Sequence, residues 1–241
     1  MNVFRPAVPT LALAIGLAAA CSTRDERSAP LQSDKQLALP AADSGQRVAG
    51  SPRIVILGDS LTIGLGLPIE QSYPSLLQER LKESGLDYEV VNAGVSGDTS
   101  AGGLSRLDWA LDGDVRVLVV ALGGNDGLRG LPVEQLKRNL ATIIERAQAR
   151  GIAVILAGME APPNYGRDYI VAFHKVYPAL ASQYHVPLVP FLLQGVAGSE
   201  ALNQRDGIHP TAAGARIVAG NVWAVLKPVA EAHAAKAAGG S

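Results

Sequence analysis

The apolar positions of this chain fall into two alternating kinds of pattern. Short runs rich in branched residues recur at Ile54 to Leu57, Tyr88 to Val91, Val115 to Leu122, Ile152 to Ala157 and Val186 to Val189. Runs that are apolar at successive positions predict strands buried on both faces. Between them, Pro74 to Glu83, Pro132 to Arg150 and Tyr169 to Tyr184 place apolar residues at helical spacing. A last such pattern, Ala212 to Leu226, predicts a closing helix capped by Thr211. The alternation of strand and helix predicts a five-stranded parallel sheet covered by helices on both faces. Functional loops of such sheets gather beyond the carboxyl ends of the strands.

The pattern changes at both ends. Arg5 precedes an apolar stretch, Leu11 to Ala20, about the length of a signal-peptide core and too short to span a bilayer comfortably. Ala18-Ala19-Ala20 then leads into Cys21. This junction resembles a bacterial lipobox, whose cysteine becomes the acylated first residue of the mature protein. Ala18 stands where a branched residue is usual, and a plain signal peptide cut near the alanines is the other reading. From Ser22 to Ser51 the chain turns to Ser, Asp, Gln, Pro and Ala without sustained periodicity, which predicts a disordered tether. A flexible segment of about 30 residues has a reach of order 30 Å. The expected organisation is a signal peptide at 1–20, a lipidated tether at 21–51, a folded domain at 52–230 and a flexible tail at 231–241. The expected location is the bacterial envelope, facing the periplasm on a lipid anchor at Cys21, or free in the periplasm if that anchor is not used.

Composition narrows the function. Of 241 residues, 48% are hydrophobic and 18% charged, enough apolar material for one sizeable core. With 21 basic and 22 acidic residues and no basic run to track a phosphate backbone, nucleic acid is excluded as a partner. Cys21 is the only cysteine, so an intramolecular disulfide is impossible. His174, His185 and His233 lack zinc-ligand spacing, and Gly64-x-Gly66 lacks the third glycine of a dinucleotide loop. No metal or organic cofactor is expected, and the protein is expected to be a monomer.

The chemistry-bearing residues lie in four segments. Ile54 to Ser60 reads as a buried strand that delivers Ser60 to a loop, and Asp206-Gly-Ile-His-Pro210 places a carboxylate three residues before a histidine. A serine hydroxyl is a weak nucleophile unless an imidazole takes its proton, and that imidazole needs a carboxylate to fix its tautomer. His209 and Asp206 are the candidates. Pro210 biases His209 away from helical geometry, holding it on the loop before the closing helix. The other two segments are Asn92 to Ser100 and Leu122 to Gly130, the latter placing Asn125 in a glycine-rich loop.

Taken together, Gly58-Asp-Ser-Leu61, Asn92-Ala-Gly-Val-Ser-Gly-Asp-Thr-Ser100, Leu122-Gly-Gly-Asn-Asp-Gly-Leu-Arg-Gly130 and Asp206-Gly-Ile-His-Pro210 resemble the SGNH or GDSL hydrolase family. The likeness is strongest to its bacterial acyl-CoA thioesterase, lysophospholipase and arylesterase branch, and spans the chain from about Arg53 to Leu226. It implies a flavodoxin-like three-layer α/β/α domain with Ser60 as nucleophile and His209 and Asp206 as its partners. Ser60, Gly97 and Asn125 would be the oxyanion donors. It also implies ester or thioester substrates, with the Gly127 to Leu131 loop similar to a mobile segment beside an acyl groove. Leu128, Leu131 and Tyr165 are the candidate groove residues. A carbohydrate O-acetylesterase or acyltransferase using the same site is the enzymatic alternative, and a non-catalytic lipoprotein that binds acyl chains is the alternative of another class.

Overall fold

The computed structural model describes residues 51–239. The predicted signal peptide, Cys21 and nearly all of the tether lie outside the described residues. Five strands, β1 (Arg53–Gly58), β2 (Glu89–Gly94), β3 (Val115–Ala121), β4 (Ala153–Ala157) and β5 (Leu188–Val189), form one parallel sheet in the order β2-β1-β3-β4-β5. The helices are α1 (Ser60–Ile63), α2 (Tyr73–Glu83), α3 (Ser100–Ser105), α4 (Leu107–Ala110), α5 (Gly124–Leu128), α6 (Val133–Ala149), α7 (Arg167–Tyr184) and α8 (Ala212–Gly239). Helices α2 and α8 pack on one face, while α3, α6 and α7 pack together on the other. The result is the three-layer α/β/α arrangement that the alternating pattern predicts.

The layering explains the sequence. Ile54, Val55, Ile56 and Leu57 of β1 and Val117 to Val120 of β3 are almost wholly buried, because central parallel strands have no wet face. On α6 the buried residues are Leu136, Leu140, Ile143, Ile144 and Ala147, a single stripe at helical period. Among the described residues, no helix is long and apolar enough to cross a membrane.

Three details differ from expectation. The second strand begins at Glu89 rather than Tyr88 and runs on to Gly94. It is an edge strand of mixed burial, so no continuous apolar run marks its end. The segments after β1, β2 and β3 contain α1, α3, α4 and α5, each six residues or fewer and therefore too short to show a periodicity. The closing helix continues to Gly239, through the alanine-rich stretch read as a fraying tail, as alanine's helix propensity allows.

The strand order also locates the site. From β1 the chain steps sideways to β2 and then crosses back over β1 to reach β3. Beyond the carboxyl ends of β1 and β3 the connections diverge to opposite faces, which leaves a crevice at the sheet edge. Ser60 follows β1 and Asn125 follows β3.

Candidate active site

The segment that carries the candidate nucleophile is a strand that turns at once into a helix. Gly58 ends β1, and a Cβ there would stand 2.0 Å from Thr62 Oγ1, so only glycine permits the strand to pass this close to α1. Asp59 caps α1, its carboxylate accepting from Leu61 N at 3.0 Å. Ser60 is thereby the first helical residue, with its backbone N–H among the unsatisfied donors of the helix start.

The histidine segment is held by its own backbone. Gln204 N donates to His209 O at 2.7 Å, and Gln204 Nε2 donates to Leu65 O at 2.8 Å and Pro210 O at 3.0 Å. The same glutamine therefore ties the histidine loop to the turn after α1. Thr211 caps α8 by accepting from Gly214 N at 3.3 Å. His209 Nε2 lies 2.9 Å from Ser60 Oγ, and its Nδ1 lies 2.6 Å from Asp206 Oδ2.

Asp206 accepts at both oxygens. The backbone N–H of His209 and that of Ile208 donate to Oδ1 at 3.0 and 2.9 Å. The His209 backbone bond, then the bond to its ring, hold the Asp206 carboxyl down at about 2. A carboxylate ionised across the working range dictates the imidazole tautomer: Nδ1 carries the proton, and the lone pair of Nε2 faces the Ser60 hydroxyl.

The second and third segments meet behind Ser60. Gly97 sits at φ 82° in a turn closed by Asp98 N donating to Val95 O at 3.1 Å. Val95 N in turn donates to Gly58 O at 3.1 Å. Asn125, placed by the sequence in a loop, lies in the first turn of α5. Its Nδ2 donates to Asp59 Oδ2 at 3.1 Å and to Asp98 O at 3.0 Å, so this amide bridges the neighbour of Ser60 and the neighbour of Gly97. Asp126 fastens the same region from below, accepting from Ser100 N at 2.7 Å and Ser100 Oγ at 2.6 Å.

Asp59 carries a second consequence. It is 3% exposed, and burial pushes its carboxyl up to about 6 against the bonds from Leu61 N and Asn125 that favour its charge.

A cleft of about 320 Å³ opens beside Ser60 and Asn125. Its apolar wall includes Leu128, Met159, Pro162, Phe191, Leu193 and Ile208. Of the candidate groove residues, Leu128 lines this cleft, whereas Tyr165 and Leu131 are not part of its lining. Tyr165 donates to Leu128 O at 2.8 Å, and Leu131 O accepts from Tyr169 at 2.9 Å. Met159 follows β4, while Phe191 and Ile208 lie far apart in the connection between β5 and α8, so no local signature marks the three as cleft residues. Among the described residues no group of three or more His, Cys, Asp or Glu side chains is placed to hold a metal ion.

Known proteins share this architecture. Residues 56–217 match the GDSL-like Lipase/Acylhydrolase family. The chain is 50% identical over 182 residues to the esterase TesA of Pseudomonas aeruginosa, an alignment covering 75% of this chain and 90% of that relative. It is 40% identical over 165 residues to thioesterase 1/protease 1/lysophospholipase L1 of Escherichia coli, covering 68% of this chain and 78% of that relative. A crystal structure of TesA superposes with a TM-score of 0.71 at 49% identity, covering 73% of this chain and 99% of that one.

Proposed function

The chain belongs to the GDSL-like lipase/acylhydrolase family and is a serine esterase, and we propose that its chemistry runs through an acyl-enzyme formed on Ser60. The observation that carries this assignment is the continuous chain from Ser60 Oγ to His209 Nε2 at 2.9 Å and from His209 Nδ1 to Asp206 at 2.6 Å. Ser60 Oγ attacks the ester or thioester carbonyl as its proton passes to Nε2. Asp206 stabilises the imidazolium that results, without itself taking a proton. His209 then hands the proton to the departing alcohol, phenol or thiol. A water molecule, deprotonated by the same nitrogen, releases the acid and restores Ser60.

The carbonyl oxygen, negative in the tetrahedral intermediate, is met by the N–H groups of Ser60 and Gly97 and by the amide of Asn125. That amide already donates to Asp59 and Asp98. The oxyanion replaces the Asp59 carboxylate as acceptor, so the donor is oriented before substrate arrives. The acyl chain lies in the cleft walled by Leu128, Met159 and Phe191. An open apolar cleft of this size suits aryl esters, short to medium acyl esters and lysophospholipid or acyl-CoA-like substrates. The enzyme acts outside the cytoplasm, tethered by acylated Cys21.

Turnover of p-nitrophenyl butyrate by Ser60→Ala is the direct test. The variant is expected to lose all measurable activity and all labelling by a fluorophosphonate while its melting temperature stays that of the parent. Undiminished turnover overturns the assignment.

A further inference from the structure

We propose that Arg129 is a positioning residue, a clamp that holds the Gly97 amide where the oxyanion forms. The inference rests on the placing of Gly97 in the oxyanion hole and adds the group that keeps it there. Gly97 suits its task because it has no side chain to obstruct the substrate and tolerates φ 82°. That advantage has a drawback: glycine is the residue with the widest backbone freedom, so the direction of its N–H must be imposed from outside.

Most of the bonds around this turn fasten its flanks. Val95 N bonds to Gly58 O, and Asn125 bonds to Asp98 O. Arg106, largely buried, grips the Asp98 carboxylate at 2.6 Å and Gly58 O at 2.9 Å. Among the described residues, the bond made to Gly97's own polar atoms is the one from Arg129 Nη2 to Gly97 O, at 2.8 Å. It fixes the peptide plane that follows Gly97 and with it the residue's ψ, while the Val95–Asp98 turn constrains φ.

Arg129 is also placed to set a distance. It follows Asn125 by one helical turn, and its backbone N donates to Asn125 O at 3.1 Å. Its backbone is therefore tied to one oxyanion donor and its side chain to another. The preceding residue is braced by the bond from Tyr165 to Leu128 O, and the Tyr165 ring packs against Gly130, where a Cβ would stand 2.5 Å from it. A guanidinium on a braced backbone delivers its N–H with little freedom, which a more flexible amine does less well.

Arg129 is exposed, so its replacement should not unfold the protein. Arg129→Met and Arg129→Lys are to be compared with the parent on p-nitrophenyl butyrate, with melting temperatures measured alongside. In Arg129→Met, kcat is expected to fall about tenfold, a part of the roughly 10²- to 10³-fold loss that follows removal of a donor outright. KM and the melting temperature should stay within error, and Arg129→Lys should recover part of kcat by offering one N–H to Gly97 O. Parental kcat in Arg129→Met, a change confined to KM, a loss that tracks a lowered melting temperature, or no recovery with lysine would each overturn the clamp. Ser60→Ala separates the two readings. If that variant is dead while Arg129→Met is as fast as the parent, the clamp alone fails; if Ser60→Ala is active, the site assignment fails with it.

Discussion

Replacing Asp59 by asparagine should change how the stability of the protein responds to pH. Asp59 is 3% exposed, and its carboxyl is pushed up to about 6 from an ordinary 3.8 by burial. Below pH 3.8 the group is protonated in both folded and unfolded chains and contributes no pH dependence. Between 3.8 and 6 the unfolded chain ionises while the folded one does not, so folding stability falls as pH rises. Above 6 both are ionised and the full cost, about 3 kcal/mol, persists. Asparagine removes this dependence while its Oδ1 retains the cap on Leu61 N. Its NH₂ does face the amide of Asn125, and that donor-to-donor clash is a pH-independent penalty. The assay is urea unfolding of parent and Asp59→Asn at intervals from pH 4 to pH 8. The stability of the variant minus that of the parent is expected to climb by a few kcal/mol between pH 4 and 6 and then level off. A difference that is flat across that interval, or that declines with pH, refutes the account of Asp59 as a carboxylate ionised at the expense of folding.

Three further outcomes are expected. Asp206→Asn, which loses the carboxylate that keeps the proton on His209 Nδ1, should lower kcat by about 10³- to 10⁴-fold with little change in KM; a variant retaining a tenth of parental kcat removes Asp206 from the role. Because the Asp206 carboxyl is held at about 2, its stabilising contribution is present above 3.8 and lost only as pH falls through 2, so no activity inflection between pH 4 and 7 should trace to it. The full-length chain expressed in a bacterial host should partition with membranes and carry acyl mass at its mature N-terminus, while Cys21→Ser should be released to the soluble fraction. Parent protein found soluble, with an unmodified N-terminus, argues against the anchor.

How much of this was legible in the sequence follows from where the information resides. Central parallel strands are buried on both faces, so β1 and β3 announce themselves by the apolar runs Ile54–Leu57 and Val117–Ala121, and the stripe on α6 does the same for a helix. Ser60, Asp206 and His209 stood out because their types and spacing are those that activation of a hydroxyl requires. Other features had no local trace. A helix as short as α5 shows no period, so Asn125 read as a loop residue. Nothing in the sequence set Asp59 apart, and only the fold reveals a buried cap with a displaced titration. The cleft wall brings together Met159, which follows β4, with Phe191 and Ile208 from distant points of the β5–α8 connection, and Tyr165 turned out to support the wall rather than face the cleft. Gln204 and Arg129 act through contacts whose partners are remote in sequence, at Leu65 and Gly97.

The bond between Ser60 and His209 joins positions 149 residues apart, with β4 and β5 laid down between them. During synthesis the alcohol emerges long before the imidazole, and the intervening strands must dock on the growing edge before the two can meet. A nascent or interrupted chain therefore carries an inert serine. On the proposed assignment, hydrolytic power is withheld until almost the whole domain has been made and folded.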